Sequence, residues 1–181
     1  MLHRATRVQY QRIFSAGLLR EGLPVGADQI RAAVIGLTIG EEGIPATAEG
    51  RLAAAGTIIE RATKMGIPIE DIIIDPLVLT VGHNSNAAQV TLKTIELVKK
   101  EYGVNISQGA SNVSFGLPDR HSVNSAFLSL AMPTGGTTSI TDPVQLGNTL
   151  KPTDLLLGRD GNSMRYLKYF RATDTLRAQQ V

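Results

Sequence analysis

The chain has 181 residues, with 18 Lys and Arg against 16 Asp and Glu, a formal charge of +2, 43% hydrophobic residues and no cysteine. This near-neutral balance contains no block of like charges, so it leaves no electrostatic footprint for nucleic acid or an anionic membrane surface. The lack of thiols excludes disulfides, thiolate zinc sites, iron–sulfur clusters and cysteine nucleophiles, so the chemistry must use oxygen and nitrogen.

Residues 1–31 carry Arg4, Arg7, Arg12 and Arg20 and no acid before Glu21. They read as an N-terminal extension with a weak helix over Val8 to Leu19 and no convincing strand. The arginines fit a solvated scaffold helix better than an organellar transit peptide. Residues 32–172 form the expected folded domain and 173–181 a C-terminal tail.

From Ala32 onward, short apolar runs alternate with helix-length stretches. Strands are predicted over Ala32–Thr38, Ile72–Asp75, Val104–Asn112 and Thr137–Asp142. The first two are aliphatic on both parities, as parallel strands covered on both faces are. Asp75 and Pro76 interrupt the longest apolar run, which leaves no membrane span and points to a soluble, cytoplasmic protein.

The intervening helices have readable ends. Thr47 is an N-cap candidate for a helix that places Leu52, Ala55, Ile58, Ala62 and Met65 on one side and stops at Gly66 and Pro68. A second helix aligns Leu92, Ile95 and Val98, carries Lys99 and Lys100 in its last turn, and ends at Gly103. A third is predicted from His121 to Met132, stopped by Pro133, and a fourth from about Asn162 through Met164, Leu167 and Phe170. Pro152 reads as an interruption before that last helix.

Each strand has a polar residue near its carboxyl end: Thr38, Asp75, Asn112 and Asp142, separated by 37, 37 and 30 positions. A βα module of similar size therefore repeats four times, and its strand ends are where either a (β/α) barrel or an open doubly wound sheet gathers functional groups. A complete eight-unit barrel needs about 250 residues, so four units make half of one.

Two segments carry chemistry. In Ile72-Ile73-Ile74-Asp75-Pro76 a carboxylate follows three branched aliphatics, and if buried it must be paired or hydrogen-bonded. Asp75 could accept from a flat edge bearing two N–H groups, such as that of a pterin or guanine, or from neighbouring backbone amides. In Gly109-Ala110-Ser111-Asn112-Val113-Ser114-Phe115-Gly116-Leu117-Pro118-Asp119-Arg120, small residues let a flat ligand approach the backbone while Asn112 offers a donor and an acceptor. The competing reading is a plain βα turn with Ser111 or Asn112 capping the next helix. His3, His83 and His121 share no metal-ligand spacing, so no metal is expected. Gly82-His83-Asn84-Ser85-Asn86 reads as a solvated loop or a further rim contact, and Gly135-Gly136-Thr137-Thr138 lacks the lysine of a phosphate loop.

Together these segments resemble the pterin-binding methyltransferase family, specifically the methyltetrahydrofolate:corrinoid methyltransferases, relatives of dihydropteroate synthase. The resemblance runs from roughly Ala33 to Arg171. It covers Val34-Ile35-Gly36-Leu37-Thr38 with Gly43-Ile44-Pro45, Ile74-Asp75-Pro76-Leu77, the Ser111 to Arg120 loop, Asn124 with Ala126-Phe127-Leu128, and Leu157-Gly158-Arg159-Asp160 with Met164-Arg165-Tyr166.

The resemblance implies a TIM-type (β/α) barrel that binds methyltetrahydrofolate at its C-terminal rim and passes the N5 methyl to the cobalt of a cobalamin or other corrinoid on a partner protein. It assigns Asn112 the catalytic role at N5 and Asp75 the pterin anchor. Gly109 and Ser111 line the pterin, Arg120 contacts the folate tail or supports the loop, and Asp142 is a candidate at the last strand end. The family's first four strands, which add a second Asp and an Asn to the clamp, have no counterpart in Met1 to Arg31. This chain therefore corresponds to a C-terminal half-barrel, completed by a homo-oligomer or a second chain. The alternatives are a non-catalytic pterin-fold fragment or folate-binding module and, more remotely, dihydropteroate synthase, whose later-strand basic signature Ser111-Asn112-Val113-Ser114 does not match.

Overall fold

The computed structural model describes residues 12–15 and 33–178. Its sheet has five parallel strands, β1 (Arg12–Ser15), β2 (Val34–Leu37), β3 (Ile72–Asp75), β4 (Asn105–Gly109) and β5 (Thr138–Ile140), ordered in space as in sequence. Helix α1 (Ala48–Lys64) links β2 to β3, α2 (Ala87–Tyr102) links β3 to β4, and α3 (Arg120–Thr134) links β4 to β5. After β5 come α4 (Pro143–Leu156) and α5 (Met164–Ala178). Strands that add one after another without a reversal of order form a barrel wall, not a doubly wound sheet with a switch point. The fold is an α/β partial barrel.

Several sequence expectations change. Arg12–Ser15, inside the expected weak helix, is a strand whose Arg12 and Ser15 pair with Val34 and Leu37. The remainder of Val8 to Leu19, the basic start and the last three residues of the tail lie outside the described residues. The strand expected to reach Asn112 ends at Gly109 and turns into a 3-10 segment over Ala110–Ser114. Helix α3 passes Pro133 and stops at Gly135, whose φ of 119° suits a residue without a β-carbon. Helix α4 was missed, and Pro152 lies inside it instead of ahead of the last helix.

The predicted caps are present. The Thr47 hydroxyl accepts from the Gly50 N–H at 3.1 Å to start α1, and Gly103 in the left-handed region closes α2. Parity along the strands then separates two faces. Val34, Ile72, Ile74 and Ile106 join Ile58 and Ala62 of α1, Ile95 and Val98 of α2, and Phe127 and Leu128 of α3 in one core. Each fully buried branched side chain there contributes about 1.5–3 kcal/mol. Gly36 shares this face, and a β-carbon on it would meet Ile58 Cγ2 at 2.5 Å, so glycine lets α1 lie close to the sheet. Leu37, Ile73, Asp75, Ser107, Gly109 and Ile140 have the other parity, and the core cluster contains none of them. That second face is the inner wall of the partial barrel, and Asp75 and Gly109 stand at its carboxyl rim.

Candidate functional site

Asp75 ends β3 in register with Leu37, and its carbonyl is fixed by two donors from the buried Thr38, the N–H and the hydroxyl, each at 3.1 Å. Its carboxylate Oδ1 accepts from the Leu77 N–H at 2.8 Å. No hydrogen bond from the described residues reaches Oδ2. Burial raises the Asp75 pKa above the ordinary carboxylate value, and the Leu77 N–H offsets only part of that shift. The turn is unusual, because Leu77 has φ +61°, a conformation that a side chain with a β-carbon adopts at a cost of about 1–3 kcal/mol.

The second segment folds back on itself. In the 3-10 segment after β4 the Asn112 carbonyl accepts from the Phe115 N–H at 3.2 Å, which carries the Asn112 side chain back toward Gly109. A β-carbon on Gly109 would come within 3.2 Å of Asn112 Nδ2. The side chain is exposed and its amide makes no hydrogen bond among the described residues. Arg120, at the first position of α3, braces the segment: Nη2 donates to the Ser111 carbonyl at 2.7 Å, Nε to Ser114 Oγ at 3.1 Å, and the guanidinium carbon lies 5.9 Å from the Phe115 ring centre.

Hydrogen bonds between the two βα loops bring these segments together. Val81 N–H donates to the Val113 carbonyl at 3.0 Å, and the Thr80 hydroxyl to the Phe115 carbonyl at 2.7 Å. The register of β3 and β4 places Asp75 beside Ser107, two residues before Gly109 on the same face. An acceptor at Asp75 and an uncommitted amide at Asn112 therefore share one rim of neighbouring strands, with Gly109 adding no side chain between them.

The pterin binding enzyme family matches residues 43–142, more than half of the chain and the part that contains both segments. This chain belongs to the pterin-binding enzyme family. A methylcorrinoid:tetrahydrofolate methyltransferase of Eubacterium limosum is 31% identical over 141 residues, 76% of this chain and 52% of the relative. A methionine synthase of Mycobacterium tuberculosis is 36% identical over 105 residues, 54% of this chain and 9% of that protein. The chain spans about half the length of the first relative and a small part of the second.

Along this wall the other candidates separate. Asp142 is exposed, and its carboxylate accepts from the Gln145 N–H at 3.3 Å as a cap on α4, the structural role such a position commonly has. Arg120 is committed to its own loop. Ser111 contributes its carbonyl to that brace, and Gly109 its missing side chain. Among the described residues no group of three His, Asp or Glu side chains could hold a metal ion, and no helix is long and apolar enough to cross a membrane.

One residue escaped the sequence reading altogether. Arg51 of α1 is 2% exposed, although a lone arginine on a helix normally reads as solvated. Nε donates to the Pro45 carbonyl at 3.0 Å, and Nη1 to the Pro76 and Leu77 carbonyls at 2.9 and 2.8 Å. Two buried amide oxygens, Gln108 Oε1 on β4 and Asn124 Oδ1 on α3, are without a partner among the described residues.

Proposed function

We propose that this chain binds the pterin ring of methyltetrahydrofolate along its inner rim and takes part in methyl transfer between folate N5 and the cobalt of a corrinoid carried by another protein. The observation that carries this reading is the pairing of a half-buried carboxylate, Asp75, with an amide free to hydrogen-bond, Asn112, on adjacent strand ends. Oδ2 of Asp75 accepts from the N–H edge of the pterin through a charge-assisted bond. Gly109 lets the ring lie against the backbone, and Asn112 faces N5.

In the transfer the N5–CH3 bond breaks, its electron pair stays on N5, and the methyl carbon is taken by the reduced cobalt that the corrinoid substrate supplies. N5 takes up a proton from solvent and gains positive character along the way, so a group that holds that proton binds the transition state more tightly than the ground state. The Asn112 amide can accept from protonated N5 or donate to its lone pair by rotation, with no charge of its own to desolvate. Because forward and reverse transfer share a transition state, the same residues serve either direction, including the one in the name of the Eubacterium relative. Exposed apolar side chains around the rim, Ile44, Leu79 and Phe115, offer the corrinoid a surface to approach.

The inner wall needs an opposite side for water to be excluded, supplied by further protein: another segment, a second chain or a second copy. A second reading follows from the single wall itself, a folate-binding module without transfer activity. Calorimetry with methyltetrahydrofolate, followed by cobalt-spectrum assays with reduced cobalamin, separates the two. Binding with transfer supports the enzyme, binding alone supports the module, and no binding overturns both.

A further inference from the structure

The geometry points to Arg51 as the positioning residue that holds the Asp75-Pro76-Leu77 turn in its ligand-ready form. The inference rests on the reading of Asp75 as the pterin anchor. Arg51 lies on α1, outside both motif segments, and makes no hydrogen bond to the Asp75 carboxylate. Its buried guanidinium is satisfied by main-chain oxygens, with no ion pair to a carboxylate among the described residues. A buried cation compensated by neutral oxygens, three carbonyls and more distantly the Thr91 hydroxyl at 3.4 Å, is costly to place there, and burial lowers its pKa accordingly. What this arrangement secures is the backbone immediately after Asp75.

Leu77 shows why that backbone needs holding. At φ +61° it sits in the left-handed region without being glycine. Three groups keep it there: its N–H donates to Asp75 Oδ1, and its carbonyl accepts from Arg51 Nη1 at 2.8 Å and from Thr91 Oγ1 at 3.1 Å. The same N–H bond fixes the Asp75 carboxylate rotamer and leaves Oδ2 available. Arg51 also bonds Pro45 in the loop between β2 and α1, so one guanidinium fastens two rim loops. If the Pro76 and Leu77 carbonyls lost this donor, Leu77 could relax to a negative φ, its N–H would turn away from Oδ1, and the carboxylate would lose its aim. A lysine keeps the charge but cannot present Nε and Nη1 donors in a fixed fork.

The test uses the full chain and three variants, Arg51→Lys, Leu77→Gly and the double variant. Glycine adopts φ +61° without strain, so it should make the clamp partly dispensable. Amide hydrogen exchange in the unliganded protein gives a reading that does not depend on folate. In Arg51→Lys the Leu77 N–H should exchange at least ten times faster, while protection in α2 and β4 stays as in the wild type. Methyltetrahydrofolate affinity should fall about tenfold in Arg51→Lys and recover several-fold in the double variant. Unchanged exchange at Leu77, a uniform loss of protection across the sheet, or no recovery with Leu77→Gly would each overturn the positioning role. If the wild type does not bind folate, the pterin reading fails, and the exchange data still decide whether Arg51 holds the turn.

Discussion

The Asn112 amide nitrogen lies 3.2 Å from where a β-carbon on Gly109 would stand. A methyl group there is tighter than ordinary contact, and the exposed amide, held by no hydrogen bond among the described residues, is what yields. The backbone at Gly109, φ −79° and ψ 78°, needs no glycine for its φ, so the substitution acts on the side chain above it. Gly109→Ala should therefore reduce methyl transfer by up to about tenfold, since the amide need give by less than the ~1 Å that costs about 10²-fold. Urea denaturation should find its stability within about 0.5 kcal/mol of the wild type. A variant with full activity would show that the Asn112 position is not critical.

Asp75 carries a stability consequence of its own. Its folded-state pKa is raised, chiefly by burial, so between the unfolded carboxylate value near 3.9 and the folded value the native state binds more protons. Stability from this group therefore falls as pH rises through that window and stays reduced above it. Asp75→Asn cannot ionise, and its amide oxygen can still accept from Leu77. It should be more stable than the wild type at neutral pH, with the difference vanishing as pH falls below the unfolded value. The same variant should bind methyltetrahydrofolate more weakly by about 1.5–3 kcal/mol, the worth of a charge-assisted bond. Urea melts across pH together with calorimetry check both halves.

Arg120 predicts a different pattern. Its bonds to the Ser111 carbonyl and Ser114 Oγ brace the 3-10 segment from below. Arg120→Ala should loosen Ser111 to Phe115 and weaken folate binding several-fold, and lysine should rescue little because it lacks the planar fork. Exchange at the Phe115 N–H should quicken in parallel. A role in gripping the folate tail would instead make the effect depend on tail length, so comparing folates with one and several glutamates discriminates.

The helix-facing side of the wall offers a control on the face opposite the proposed site. Gly36→Ala would drive a β-carbon to 2.5 Å from Ile58 Cγ2, and overpacking of this kind costs about 1–3 kcal/mol. Chemical denaturation should register that loss. At temperatures where the variant stays folded, its folate affinity should match the wild type.

Sequence patterning exposes what local chemistry controls. Thr47, Gly103 and the run Ile72 to Asp75 were legible because capping hydroxyls, left-handed glycines and branched aliphatics act within a few residues. Helix α4 was not, because Pro143, Gln145, Asn148, Thr149 and Pro152 give it neither an apolar stripe nor a good interior; the α3 surface against which it packs supplies the stability that propensity does not. Arg12–Ser15 is four residues long and gains its strand identity from pairing with β2. Asp75 and Asn112 could be singled out as candidates in the sequence. That Asn112 leaves the strand and folds back on Gly109 depends on the 3-10 turn. Arg51 stayed hidden because its shortest bonds go to main-chain carbonyls, the farthest of them 26 positions away, which no side-chain motif encodes.

The central claim is that Asn112 acts on N5 in the transition state, and Asn112→Ala tests it most directly when methyl transfer to reduced cobalamin and methyltetrahydrofolate affinity are measured on the same preparation. Loss of a group that serves developing charge should lower the transfer rate about 10²- to 10³-fold while the folate dissociation constant changes less than about threefold, well under 1 kcal/mol. Equal losses in rate and affinity would contradict the account, since Asn112 would then be a binding residue only, and an unchanged rate would remove it from the chemistry.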